Sequence, residues 1–297
     1  MVDTAIKLET RSRAARDLTI RQRIWRVLLW VFIIGAVLWV IFPLIWSVIT
    51  SFKTQMQALE PTFIPWVQFT PTIENWSSEL GLGAPETFSA LGNSLVIASG
   101  ATLLACTLGT MTGYALARFT FRVGNRNLIS WVLSQRFLPP IATLIPVFLM
   151  LQFLKLIDTH LGMIIINTTF VLPFAILIMR DFFADFPEEI EEAALVDGAS
   201  PLQIFLRVAL PVATPALTAA AIICFAFAWN EYLFASVMAT RTAKPYTFLV
   251  ASTSTVRGVH FGYLATRMLI AITLPVIFSL FVQRYIVRGL TLGAVKG

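Results

Sequence analysis

Charged side chains are scarce in these 297 residues, at 13%, while hydrophobic ones make up 57%. A water-soluble domain of this length has nowhere to hide so much apolar surface, because over half of an ordinary protein's exterior is already apolar. The mean hydropathy of +0.79 agrees, and the solvent implied is lipid. Cysteine and histidine occur only twice each. Cys106 and Cys224 both fall inside apolar runs, so no disulfide framework is implied, and they read as packing residues. His160 and His260 stand in separate loops expected outside the membrane. No His-Glu-x-x-His zinc helix, no Gly-x-Ser-x-Gly elbow and no Gly-x-x-x-x-Gly-Lys-Ser/Thr loop occurs. No catalytic residue and no metal ligand is therefore nominated. If ATP drives this protein, another chain hydrolyses it.

What is present is a series of apolar runs, at roughly 27–50, 94–117, 128–154, 162–180, 212–238 and 264–287. About 20 helical residues cross the hydrocarbon of a bilayer. These runs predict an all-α, polytopic membrane protein with six transmembrane helices. The first run is longer than the apolar core of a secretory signal and lacks a small-residue cleavage site, so it is expected to stay attached. The net charge of +6 is not a nucleic-acid patch. With alternating sides, Lys and Arg number fifteen on the side of the N-terminus and six on the other, with Arg136 left inside a span. The positive-inside rule then places both termini in the cytoplasm. Residues 1–26 form a cytoplasmic tail, residues 51–89 an external segment, and 27–297 one transmembrane domain.

The longest polar interruption in the second half is Glu188 to Pro215. Asp185 is expected to cap a helix, with Pro187 in its first turn and Glu188 placed as in a capping box. Gly198 supplies the left-handed residue that ends it, and Ser200 with Pro201 launches a second helix over 201–208. Ala193, Ala194, Gly198 and Ala199 let another surface approach closely, while Glu188 and Glu192, four apart, share a face. The result is a compact acidic knob that charge counting puts in the cytoplasm. By residues alone it is either a solvated acidic helix between spans or a docking element.

The pattern Glu192-Ala193-Ala194, Asp197-Gly198-Ala199, Phe205, Val208, Leu210-Pro211 and Pro215 resembles the EAA loop of ABC importer permeases. The tail Arg284 to Gly297, Asn93-Ser94-Leu95 and Tyr114-Ala115-Leu116-Ala117-Arg118 are similar to the smaller permease subunit of maltose-type carbohydrate importers. The resemblance runs from about Asn93 onward. It departs at Val208, where the family more often has isoleucine. It implies that residues 185–210 form a coupling loop in which Glu188, Glu192, Ala193, Ala194, Asp197, Gly198 and Ala199 meet an ATPase subunit. The implied partners are a second permease, an ABC ATPase dimer carrying ATP and Mg, a periplasmic or extracellular solute-binding protein and a sugar-like substrate, in a bacterial inner membrane.

Ionisable groups within spans are the remaining lead, since placing one there costs at least ~2.5 kcal/mol on insertion scales. Arg136 lies beside Pro139-Pro140, roughly 12 Å into its run at ~1.5 Å per residue. It lines a pathway or pairs with a carboxylate or helix-end carbonyls. Asn230 and Glu231 come late in the fifth run, where they either hydrogen-bond sugar hydroxyls, with Trp229 or Tyr232 stacking on a sugar face, or join helices. Pro43, Pro139, Pro140, Pro146, Pro173 and Pro275 interrupt the runs, as expected of a bundle around a pathway. Arg241, Lys244, Arg257, His260 and Arg267 gather at the last external loop, suited to an acidic binding-protein surface or an anionic sugar. Two rivals stand beside the importer: an ion-coupled secondary transporter or channel, which needs midplane relay residues, and a scaffold that recruits a soluble partner through the knob.

Overall fold

The computed structural model describes residues 2–81, 85–255 and 258–293, with side-chain surroundings for 22–81, 86–253 and 258–280. Helices dominate, and the only strands among the described residues are the short antiparallel pair Ser254–Thr255 and Gly258–Val259. The chain opens on α1 (Val2–Ser51), which continues the N-terminal tail into the first apolar run without a break. Two short helices follow, α2 (Gln55–Ala58) and α3 (Glu74–Leu80), inside the segment expected outside the membrane. Lys53, the only base of that segment, organises it. Its Nζ donates to the Thr62 carbonyl at 2.5 Å and the Glu60 carbonyl at 3.4 Å, and lies 5.0 Å from the rings of both Trp46 and Phe69.

The centre of the fold is the pairing of α4 (Pro85–Arg118) with α7 (His160–Asp185), the most extensive helix contact among the described residues. Lipid tails give two helices no hydrophobic reason to associate, so close backbone approach between small residues has to supply the attraction. Gly109 and Gly113 do this. A Cβ at Gly109 would stand 2.5 Å from the Ala175 Cβ, and one at Gly113 would stand 2.8 Å from the Arg180 backbone nitrogen. Ala98, Ala101 and Ala105 continue the stripe and are fully buried. Helix α10 (Thr214–Trp229) lies across both, with Phe225, Ala228 and Trp229 against Ala98 and Ala101.

Among the described residues four helices, α4, α7, Gln22–Ser51 of α1 and Phe261–Leu280 of α13 (Phe261–Gly293), are individually long and apolar enough to cross a membrane. A fifth span arises if α9 (Pro201–Val212) and α10, bent by 74° at Ala213, count as one. The apolar run 128–154 is delivered in two pieces, α5 (Asn125–Ser134) and the 14-residue α6 (Pro140–Phe153). Pro139 and Pro140 have no N–H to donate, and Pro139 is extended at φ −62°, ψ 124°, so the helix ladder stops there. The fifth run also breaks, at Asn230 to Tyr232, before α11 (Leu233–Met238). Helix α12 (Tyr246–Ala251) then leads towards the strand pair.

Candidate functional site

Between α7 and α9 the chain forms α8 (Glu188–Val196), a nine-residue helix that turns sharply at each end. Its start differs from the sequence expectation. Asp185 is still helical, as the last residue of α7, so it cannot cap α8; Pro187 occupies the N-cap and gives no side-chain hydrogen bond. Three acids in the first turn, Glu188, Glu189 and Glu191, oppose the positive end of the helix instead. Its finish is as expected. Gly198 stands at φ +82°, its N–H donates to the Leu195 carbonyl at 3.0 Å, and the Ala199 N–H donates to the Ala194 carbonyl at 3.0 Å. That pair of bonds is the Schellman ending, which needs a residue tolerant of left-handed backbone at Gly198. Ser200 and Gln203 then form a reciprocal capping box around Pro201. The second helix does not stop at 208. It passes through a π-turn at Phe205–Ala209 and continues to Val212 as α9.

Glu188 and Glu192, four apart in α8, are both exposed, and only Glu188 has an ion-pair partner among the described residues. Glu192 is exposed and has no ion-pair partner among the described residues, as are Ala193, Asp197 and Gly198 exposed; Ala194 and Ala199 are half-buried. Glu188 leans back towards Arg118, 3.6 Å away. The acid that matters most for holding α8 is Glu191, which the sequence reading passed over. It is buried, accepts a hydrogen bond from the Tyr114 hydroxyl at 2.8 Å and pairs with Arg118 Nε at 2.9 Å. Its spacing of three from Glu188 was the available signal, since that places both on one helical face. Its partner, 73 residues away, could not be read from spacing.

The other nominated residues lie elsewhere, and the structure does not bring them to the α8 knob. Arg136 sits in the break between α5 and α6, its guanidinium carbon 3.7 Å from the Phe174 ring centroid and 5.6 Å from that of Phe227, with Nη1 donating to the Phe170 carbonyl at 3.3 Å. No carboxylate pairs with it among the described residues. Asn230 is exposed on a cavity of about 310 Å³ between α10 and α13, although its amide donates back to the Ala226 carbonyl. Glu231 is committed to structure: its carboxylate accepts the Phe234 and Ala235 N–H groups at 2.7 and 3.2 Å and so starts α11. Trp229 is buried, with Nε1 donating to the Ala271 carbonyl, and has no free face for a sugar. Tyr232 stays exposed.

The external basic cluster also divides. Arg267 is withdrawn into an ion pair with Glu79, and the His260 ring lies 4.2 Å from that of Tyr263. Arg241 and Lys244 line one cavity of about 300 Å³ with Glu86 and Asn93. Arg257 lies outside the described residues, as do residues 294–297 of the tail that carries the resemblance. Asp158 fastens the Arg241 loop. Burial pushes its carboxyl up, but hydrogen bonds from the backbone N–H groups of Arg241, Thr242 and Ala243 outweigh this and hold it below the ordinary carboxylate value.

Comparison with known proteins decides what carries this geometry. Residues 107–292, which take in the last part of α4 with Gly109 and Gly113, all of α7 and α8, match the family described as "Binding-protein-dependent transport system inner membrane component". The chain belongs to this family. The permease is 39% identical over 262 residues to the trehalose transport system permease of Mycobacterium tuberculosis, covering 86% of this chain and 92% of that protein. It is 32% identical to the trehalose/maltose transport system permease of Thermococcus litoralis, covering 89% and 96%. Among solved structures, it matches a chain of a bacterial ABC transporter involved in the import of the acidic polysaccharide alginate, with a TM-score of 0.73 at 22% identity, covering 89% of this permease and 96% of that chain. That likeness concerns the fold. The permease is thus a multi-pass, helical inner-membrane component of a binding-protein-dependent ABC importer, a transport subunit by family.

Proposed function

We propose that this permease forms one half of the translocation pathway for a sugar or sugar derivative, with a second permease as the other half. An ABC ATPase dimer, binding ATP and Mg, hydrolyses the nucleotide, and a solute-binding protein delivers the cargo. The sugar class rests on the trehalose and trehalose/maltose permeases to which the chain is similar. In this reading α5 and α6 together make the third of six spans, α9 to α11 the fifth, and both termini lie in the cytoplasm. Residues 1–26 are the tail, 27–297 the transmembrane domain, 51–89 its external segment and 185–210 its coupling loop.

The observation that carries the coupling role is α8 itself, a short helix stopped at both ends, set between long apolar helices and presenting Glu192, Ala193 and Gly198 outward. Closure of the ATPase pair displaces this helix as a rigid lever and tilts the spans. Glu192 supplies a charge-assisted contact to the ATPase cleft, Glu188, Asp197 and Ala199 shape the docking face, and Ala193, Ala194 and Gly198 permit close approach. Arg136 and Asn230 border the pathway; Glu231 acts there by holding the start of α11.

The test is ATP hydrolysis by the permease purified with the products of neighbouring genes in lipid nanodiscs, with and without the companion binding protein and trehalose or maltose. Stimulated hydrolysis that collapses in Glu192→Lys is the expected result. A permease that purifies alone and moves solute without ATP overturns the reading.

A further inference from the structure

The contact between α4 and α8 is built differently from the rest of the bundle. Along its middle α4 packs on α7 through Gly109, Gly113 and a stripe of alanines; here, at its last turn, a tyrosine and an arginine reach out to the loop. Arg118 spends its whole guanidinium on that loop. Nη2 donates to the Phe186 carbonyl at the corner between α7 and α8, at 2.8 Å, Nη1 faces Glu188 at 3.6 Å, and Nε meets Glu191 at 2.9 Å. One planar fork therefore touches the corner and two acids of the first turn of α8, Glu188 and Glu191. Tyr114, one turn back along α4, donates its hydroxyl to the other oxygen of Glu191 at 2.8 Å. Its ring is wedged between Phe183 of α7 and Phe205 of α9, at centroid distances of 5.1 and 4.9 Å.

The pair is shielded as well as saturated, with side-chain exposures of 9% for Arg118 and 10% for Glu191. A planar guanidinium held through several of its nitrogens fixes angle as well as distance, whereas a lysine at the same place would be a point charge free to swivel. The start of α8 has no side-chain cap of its own, and this fork is the side-chain contact that holds it against α4.

We propose that Arg118 and Tyr114, through Glu191, splice α8 to the cytoplasmic end of α4, so that lever and span move as one rigid body during transport. Resting on the coupling reading above, this makes Arg118 and Tyr114 positioning residues for coupling, with no contact to cargo or nucleotide. Displacement of α8 is delivered directly to α4, and through the close α4–α7 contact to the centre of the bundle.

Rigid-body motion is tested by pulsed electron–electron spin distance measurement in the assembled complex in nanodiscs. Spin labels are placed at Glu189→Cys on α8 and Ser89→Cys near the other end of α4, both exposed, with Cys106 and Cys224 changed to alanine. The 89-to-189 distance is expected to be the same without nucleotide and after trapping with ATP and vanadate. In Arg118→Ala the trapped distance shifts or broadens, vanadate trapping and hydrolysis persist, and uptake of labelled trehalose or maltose per ATP hydrolysed falls. Arg118→Lys, which keeps the charge and loses the fork, also broadens the distribution. Tyr114→Phe removes a single O–H and carries the same test if Arg118→Ala does not assemble. A distance that changes between states in the unsubstituted protein overturns the splice, because the contact then opens during the cycle. Unchanged distances in every variant overturn it too, since the rigidity then has another source. Absence of ATP-dependent trapping in the unsubstituted complex overturns the coupling reading itself.

Discussion

Glu79 and Arg267 meet in a shielded, two-point ion pair: Oε1 of Glu79 receives Nη2 at 2.8 Å and Nε at 2.9 Å, with side-chain exposures of 5% and 21%. The pair joins α3, in the segment after the first span, to α13, the last span. Its remaining valences are filled, by the Thr87 hydroxyl on the glutamate and by the Leu249 carbonyl and Thr253 hydroxyl on the arginine. A charge that sequence alone groups with an external basic cluster in fact ties the segment after the first span to the last long helix.

Removing one partner of that tie leaves the other charge shielded and uncompensated. Glu79→Leu or Arg267→Met alone is expected to destabilise the protein by about 3–5 kcal/mol. Replacing both together recovers part of the loss, because no stranded charge remains. The midpoint of thermal unfolding in detergent, measured for the four members of the double-mutant cycle, checks both statements.

Asp158 makes stability depend on pH. Its folded carboxyl is held below the ordinary value, so its contribution is fully present above the unfolded carboxylate value and is lost as pH falls through the folded one. Asp158→Asn is the clean control, since asparagine tolerates the left-handed backbone at this position, φ +56°. Thermal midpoints recorded from neutral to acid pH are expected to fall more steeply for the wild type than for the variant, with the variant less stable at neutral pH.

Gly109→Val is expected to cost at least ~1–3 kcal/mol, the usual range for overpacking a filled interface. The new side chain meets Ala175 at a distance no Cβ occupies. Gly92→Val, on the same helix with open space around it, is expected to change little. Thermal stability of the two variants, purified side by side, separates close approach from any general intolerance of α4 to valine.

Gly198→Asp is expected to uncouple hydrolysis from transport while leaving membrane insertion intact. No atom lies within 4 Å of a Cβ built there, and aspartate, like asparagine, tolerates left-handed backbone, so the effect comes chiefly from the added charge on the docking face. Gly198→Asn, which tolerates that backbone without a charge, is expected to retain more transport. Normal uptake per ATP in Gly198→Asp would show that α8 is not the lever.

Composition and local pattern were enough to settle several features of this permease. A chain with this little charge can only be a membrane protein, and its solvent follows from the apolar runs. Gly198, Ser200 and Pro201 act through their own backbone and nearest neighbours, so the end of α8 and the start of α9 were legible as written. The same holds for the break at Pro139-Pro140, where missing N–H groups interrupt the ladder whatever surrounds them. What could not be read were pairings between distant segments. Asp185 has the side chain of a cap, yet it is the last residue of α7, and Pro187 stands at the N-cap of α8 instead. Glu191 was indistinguishable from its acidic neighbours until Arg118 and Tyr114 faced it across 70-odd residues. Arg267 and Glu231 looked available for ligands until Glu79 claimed one and the amides of α11 the other. Side-chain identity determines what a residue is able to bind; only the packing of α3, α4, α7 and α13 decided which partner came within reach.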